Sequence, residues 1–222
     1  MSTWLGLIKT DVRLLLHRPE SILSTILYGI MVLVIVHFSL PSGSRSSMVM
    51  GTAALWLALI LSSVLGIPRL QHHPDAVRFL PQLITGAISP SAYFWAKLIS
   101  GGLITGLASV VLYPLTIVLF NFTLDRRLFV GFALYLVGSA GVVIILTLAS
   151  ALTIGREEWL LPLLVFPLLI PIVLAGTQLM TSVLSGRETF QWAWVHLLIA
   201  YNLLMLFGGW FLSEFLWEEL PE

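Results

Sequence analysis

Histidine is the residue type in this 222-residue chain best suited to bind a metal ion or a haem iron, and it occurs five times. His72 and His73 are adjacent, so on a helix their side chains point about 100° apart and cannot hold one ion together. His37 and His196 each stand alone near the end of an apolar segment. A single histidine at such a place is more often a hydrogen-bonding residue, but each has the chemistry of an axial haem ligand. We therefore treat His37 and His196 as candidate haem ligands and predict no metal site.

Residues for other kinds of catalysis are missing from the sequence. The chain has no cysteine, which excludes disulfides, thiol catalysis and thiolate metal sites. The motifs HEXXH, GXSXG and GXXXXGKS/T do not occur, so the chain has no P-loop with which to bind and hydrolyse ATP. The acidic residues fall between apolar segments or at their ends, whereas an intramembrane enzyme or a proton relay needs ionisable groups at depth. We predict that the chain is not an enzyme.

The composition indicates an integral membrane protein. Apolar residues make up 58% of the chain and charged residues 10%, against about 25% charged residues in soluble domains. Basic and acidic residues number 11 each, so the net charge gives no basis for binding nucleic acid. Six apolar runs reach the ~20 residues that a helix needs to cross a bilayer. These predicted spans are residues 21–40, 48–67, 92–120, 128–154, 160–180 and 190–217.

Residues 1–20 have the pattern of a helix that lies on a membrane surface. Apolar residues recur at helical spacing among charged ones, at Leu5, Ile8, Val12, Leu15 and Leu16. This pattern predicts an interfacial amphipathic helix, with a frayed tail as the alternative. Pro19 is expected to end this helix before the first span, because proline has no backbone N–H to donate.

The basic residues near the span ends are divided unevenly between the two sides of the membrane. If the N-terminus is cytoplasmic, seven of them lie inside and four outside, in agreement with the excess of Lys and Arg in cytoplasmic loops. This predicts that residues 1–20, the segment 68–90 and the acidic tail 218–222 are cytoplasmic. The membrane domain is then residues 21–217, with six spans.

Two groups of residues within the spans favour close helix packing. Gly102 and Gly106 form a GXXXG motif in the third span, which allows two helices to approach closely within one chain or across a dimer. Pro167 and Pro171 should kink the fifth span. A kink is tolerated in lipid only where protein or a cavity covers the freed carbonyls. This favours packing inside an assembly for the fifth span, with a role in permeation as the alternative.

The longest polar interruption is the segment 68–90, PRLQHHPDAVRFLPQLITGAISP. It predicts a short amphipathic helix over residues 74–85, interrupted by Pro81. The apolar positions of this helix are Val77, Leu80, Leu83 and Ile84, and the polar positions that can face water are Asp75, Arg78 and Gln82. The segment either covers the end of the bundle or docks a soluble partner as a helix in a groove.

The chain resembles the haem exporter protein B (CcmB) family. The resemblance rests on the six-span layout, the amphipathic N-terminus, LPQLITGAISPSAYFWAKLI at 80–99 and LLVFPLLIPIVLAGT at 163–177. The strongest matches are Leu80, Gln82, Leu83, Pro90, Ala96, Lys97, Pro167, Ile170 and Pro171. The chain departs from the family pattern at Val77, Arg78 and Pro81, where the family often has an acidic residue, a glycine and a glutamate.

This resemblance implies an all-α integral membrane protein that is similar to type-2 ABC exporter permeases. The segment 68–90 would then be a coupling helix, seated in a groove of a separate subunit that binds ATP. Further implied partners are a haem-handling membrane protein, a small single-span subunit and a second copy of the chain, all in a bacterial inner membrane. Haem would be a substrate of the complex in cytochrome c maturation, and no cofactor is assigned to this chain.

Two other functions remain open at the level of sequence. A type-2 permease could export a lipid, a drug or a polysaccharide instead of haem. A membrane scaffold that transports nothing would have the same six spans, but its function would not depend on residues 74–86.

Overall fold

The computed structural model describes residues 20–41, 48–71, 89–152, 160–186 and 192–215. Within these ranges the chain forms six helices of 20 to 30 residues and no strand. They are α1 (Glu20–Ser39), α2 (Met48–Gln71), α3 (Pro90–Leu119), α4 (Arg127–Leu152), α5 (Leu160–Leu184) and α6 (Trp192–Phe215). All six are long and apolar enough to cross a membrane. The predicted all-α fold with six spans is therefore confirmed, and the architecture is that of a multi-pass membrane protein.

Two helices are longer than the sequence predicted. α2 runs through Pro68 to Gln71, and α5 runs to Leu184, each four residues beyond the predicted end. The polar residues that close α5 are accommodated because their hydroxyls find partners. The Thr181 hydroxyl lies 3.0 Å from that of Thr52 on α2, and the Ser182 hydroxyl donates to a carbonyl one turn back. The interfacial helix predicted for residues 1–20 and the tail 218–222 fall outside the described part, apart from Glu20.

Contacts between helices fix which end of each helix lies where. The last turn of α1 meets the end of α3 through His37 and Phe120, and Gly51 near the start of α2 lies against the same phenylalanine. We call this end, which carries residues 120–126, the turn end. At the opposite end Thr25 of α1 lies against Gly66 of α2. We call it the termini end, because α1 begins and α6 finishes there.

The helices divide into a centre and two flanks. α2, α3, α4 and α5 form the centre, α1 packs on α2 and α3, and α6 packs on α3, α4 and α5. The flanking helices bury the smallest share of their residues. This arrangement leaves the apolar faces of α1 and α6 directed outward, as expected for helices that face lipid.

Trp56 of α2 is the largest side chain of the core, and no part of it is exposed. Its indole lies between Gly138 of α4 and Gly176 of α5, so closely that a Cβ at either glycine would overlap the ring. The Tyr135 ring meets the indole edge to face, with centroids 5.4 Å apart. Two glycines on different helices therefore make the space that admits a tryptophan to the centre of the bundle.

A second close contact joins α4 to the α6 flank. A Cβ at Gly141 would overlap the Asn202 side-chain oxygen and would press on Ile172 of α5. The Asn202 amide group donates to the carbonyl of Leu198 at 2.7 Å. The Gly141 position thus brings α4, α5 and α6 together near the middle of the membrane-spanning layer.

Candidate functional site

The predicted docking residues lie outside the ranges that the structure describes. They are Asp75, Val77, Arg78, Leu80, Gln82, Leu83 and Ile84, all within residues 72–88. The described chain shows the two helices that hold this segment, α2 ending at Gln71 and α3 beginning at Pro90. Both helices belong to the centre of the bundle. A force applied to the segment would therefore reach the core directly.

The start of α3 is fixed by its capping residues. Ser89 has extended backbone angles, and its hydroxyl accepts from the Ala92 N–H at 3.4 Å. Pro90 occupies the first helical position, where its missing N–H leaves no bond unmade. The segment 72–88 therefore joins a helix whose first turn is well defined.

Lys97 is a buried cation on the second turn of α3, with 2% of its surface exposed. Its ammonium nitrogen lies 5.4 Å from the centre of the Tyr93 ring, a cation–π distance. The neighbouring Phe94 fits against Gly209 of α6. An ionisable side chain within a span is expensive and is usually kept for function, so Lys97 is a candidate functional residue at the termini end of α3.

The two prolines inside α5 leave its helix unbroken but free some of its carbonyls. In the turn before Pro171, the Tyr201 hydroxyl of α6 donates to the Leu168 carbonyl at 2.8 Å. Pro167 has no N–H for the Leu163 carbonyl, and both residues are exposed. The part of α5 that holds the two prolines thus contacts α6 on one side and faces outward on the other.

The outward face of α5 is apolar with one polar residue at its end. Leu163, Phe166, Ile170 and Leu174 follow one another along this face and are between 48% and 60% exposed. Gln178 continues the face one turn further and is also exposed. We call these five residues, together with Pro167, the α5 face.

The predicted GXXXG glycines lie on an outward face of α3. No described atom comes within 4 Å of a Cβ placed at Gly102 or Gly106. Val110 and Pro114 continue the line at four-residue spacing and are exposed. Pro114 lacks the N–H that would bond the Val110 carbonyl. We call Gly102, Gly106, Val110 and Pro114 the α3 face, and within the described ranges no helix packs on it.

The candidate haem ligands lie at the turn end on opposite flanks. His37 of α1 is half-buried, and its ring meets Phe38 and Phe120 edge to face, each at 5.3 Å. His196 of α6 is exposed and tilted against Trp192, with ring centroids 6.4 Å apart. The structure does not bring the two histidines together, and the described residues include no cluster of three metal-binding side chains.

One polar feature was missed by the sequence reasoning. Along the buried side of α3, polar residues follow a four-residue spacing that only Gly101 interrupts, at Tyr93, Lys97, Thr105, Ser109 and Tyr113. The signal was present in the sequence, because residues four apart share one face of a helix. Acidic residues and histidines were considered as the polar groups of the spans, so these hydroxyls were not predicted.

Comparison with known proteins agrees with this architecture. The family described as CcmB protein matches residues 2–213 of the chain. The protein named Heme exporter protein B from Bradyrhizobium diazoefficiens is 29% identical over 214 residues, which cover 94% of each chain. Proteins of the same name from Rhodobacter capsulatus and Pseudomonas aeruginosa are 27% and 24% identical, over 82% and 81% of this chain and 84% and 81% of their own lengths. The chain belongs to the CcmB family.

Proposed function

We propose that this chain is the membrane subunit of an ABC-type haem export complex that serves cytochrome c maturation. The observation that carries the proposal is the family match over nearly the whole chain, to relatives named Heme exporter protein B. Six helices of membrane-spanning length support it. Haem is the substrate of the complex, and this chain holds no cofactor of its own.

The energy source is ATP bound by a separate subunit. The resemblance to type-2 ABC exporter permeases implies this division of labour, and it accounts for the lack of a P-loop in the sequence. The segment 72–88 docks in a groove of that subunit, with Val77, Leu80, Leu83 and Ile84 as the apolar anchors and Asp75, Arg78 and Gln82 at the rim. The attachment of the segment to two central helices supports this role. Movement of the ATPase would shift α2 and α3 rather than a peripheral loop.

A second copy of the chain covers the α5 face. The Leu163 carbonyl, freed by Pro167, and the exposed Gln178 side chain need hydrogen-bond partners that lipid does not supply. A second copy related by a two-fold axis presents the same face. Each copy then offers the other polar groups for hydrogen bonds and an apolar surface for packing. A homodimer through α5 therefore suits the two proline positions that the sequence marked, Pro167 and Pro171.

The α3 face accepts a helix from another subunit. Gly102 and Gly106 allow a close approach of two helices, and the Val110 carbonyl freed by Pro114 again favours protein over lipid. The haem-handling membrane protein and the small single-span subunit are the partners that we assign to this face. The chain thus has one face for itself and another for the rest of the complex.

The complex lies in the bacterial inner membrane, with the termini end of the bundle on the cytoplasmic side. This orientation rests on the division of basic residues along the sequence. It places the segment 72–88 where a soluble ATPase can reach it. His37 and His196 would then lie near the outer surface, where a haem acceptor docks, on opposite flanks of the bundle.

The test is to tag the chain, extract it in mild detergent and identify the co-purifying proteins by mass spectrometry. We expect an ATP-binding subunit together with haem-handling membrane proteins. An ATP-binding subunit alone would contradict the haem assignment and indicate an exporter of another substrate. Recovery of the chain without any ATP-binding subunit would contradict the transport function and leave a scaffold.

A further inference from the structure

Four polar residues of three central helices meet in the interior of the bundle. They are Trp56 of α2, Thr105 and Ser109 of α3 and Tyr135 of α4, and each is at most 1% exposed. We call them the interior polar cluster. In all four the side-chain nitrogen or oxygen is buried and has no hydrogen-bond partner among the described residues.

Two contacts and one helical repeat link these residues as neighbours. The Tyr135 hydroxyl faces Ser109, although neither oxygen reaches good hydrogen-bond geometry. The Tyr135 ring lies 5.4 Å from the Trp56 indole. Thr105 precedes Ser109 by one turn on the same side of α3. The cluster is therefore shared by α2, α3 and α4 and is closed to lipid.

Several other buried hydroxyls among the described residues bond to their own helix. The hydroxyls of Ser62, Ser100, Thr116 and Ser182 donate to carbonyls three or four residues back, at 2.6 to 3.0 Å. The Thr105 and Ser109 hydroxyls make no such bond, although they lie on the same helix as Ser100 and Thr116. A buried polar group left without a partner is strongly unfavourable, and the membrane offers no bulk water to relieve it.

We propose that the interior polar cluster binds ordered water between α2, α3 and α4. The indole N–H of Trp56 can only donate, whereas the three hydroxyls can both donate and accept. Water both accepts and donates, and buried waters typically bridge otherwise unpaired polar groups in this way. None of the four side chains is charged, so the cluster suits a small neutral molecule rather than an ion. The inference rests on these contacts and is independent of the proposed function.

Thermal unfolding of the full chain in nanodiscs tests the proposal through the sign of the change in Tm. Tyr135→Phe removes one oxygen and leaves the ring in place. If the hydroxyl binds water, its loss lowers Tm, because a bridged hydrogen bond is lost. A raised or unchanged Tm would overturn the proposal, because removal of an unpaired buried hydroxyl relieves a cost.

Thr116→Val is the matched control for Thr105→Val, since both threonines are buried in α3 but only Thr116 bonds within its helix.

A double-mutant cycle separates shared water from a direct bond between two hydroxyls. We expect that the decreases in Tm caused by Tyr135→Phe and Thr105→Val do not add, because both hydroxyls bind the same water. If Tyr135 is coupled to Ser109 but not to Thr105, the hydroxyls of Tyr135 and Ser109 bond directly, and the proposal is overturned. If a variant does not fold, a high-resolution cryo-EM map of the unmodified chain decides. Density for water within hydrogen-bond distance of the Tyr135 hydroxyl supports the site, and a dry cluster contradicts it.

Discussion

At the scale of single residues, packing at the centre of this bundle depends on the glycines that contact a neighbouring side chain where other residues would have a Cβ. Gly138 and Gly176 border the Trp56 indole, whereas Gly102 and Gly106 have no described neighbour within 4 Å. Glycine is normally unfavourable within a helix by about 1 kcal/mol relative to alanine. At Gly138 and Gly176 this loss is offset by the burial of a tryptophan between three helices.

Gly138→Ala and Gly176→Ala should each destabilise the chain. The added methyl group would overlap the indole, and overpacking of this kind costs about 1 to 3 kcal/mol. Gly102→Ala is the matched control and should leave the isolated chain equally stable or slightly more stable. Thermal unfolding in detergent measures all three variants. Equal Tm values for Gly138→Ala and Gly102→Ala would show that Trp56 is not held between the glycines.

Tyr201→Phe tests the support that α6 gives to α5. The variant loses the bond from the hydroxyl to the Leu168 carbonyl, with an expected loss of about 1 kcal/mol. A lower Tm in the same unfolding assay is the expected result. Tyr28→Phe on the exposed side of α1 is the control and should have little effect. A loss of the same size in the control would mean that the bond to α5 contributes nothing.

At the scale of helices, the sequence was sufficient for the six spans and insufficient for their contacts. Apolar runs of ~20 residues leave little choice of structure in a membrane, and the helices lie within four residues of the predicted ones. The end of α5 was not predicted, because the hydrogen-bond partner of Thr181, Thr52, lies on a helix that is distant in sequence. Gly138 and Gly176 stand in no GXXXG motif, and only the position of Trp56 shows their role. Tertiary neighbours of this kind are not encoded in local spacing.

Leu80→Asp should abolish stimulation of the partner ATPase. The substitution places a charge on the apolar side of the predicted docking helix, where it would enter the groove of the partner. Insertion in the membrane should continue, because residue 80 lies outside the six helices. Leu80→Met is the control, since a hydrophobic swap of similar volume is usually tolerated. ATPase activity of the reconstituted complex that is unchanged by Leu80→Asp would refute docking through this segment.

At the scale of the whole molecule, the orientation of the bundle determines what each end can contact. Reporter fusions after Arg45 and after Arg127 should read as external, and a fusion after Arg78 should read as internal. The reason is the excess of basic residues on the side that carries the N-terminus. Alkaline phosphatase and a fluorescent protein as paired reporters give opposite signals at each site. The reverse pattern would invert the bundle and place residues 72–88 beyond the reach of an ATPase.

The two outward faces predict how several subunits surround one chain. Because the chain contains no cysteine, any introduced cysteine is the only thiol available for cross-linking between copies. Leu174→Cys on the α5 face should form a disulfide-linked dimer under mild oxidation in native membranes. Leu204→Cys on α6 is the control. The Leu204 side chain is 62% exposed, but no freed carbonyl or polar residue on that face of α6 is assigned to a partner. A dimer through Leu204→Cys but not through Leu174→Cys would move the contact between copies from α5 to α6. In that case α5 would face another subunit, and the Leu163 carbonyl and Gln178 would have to be covered by that subunit instead.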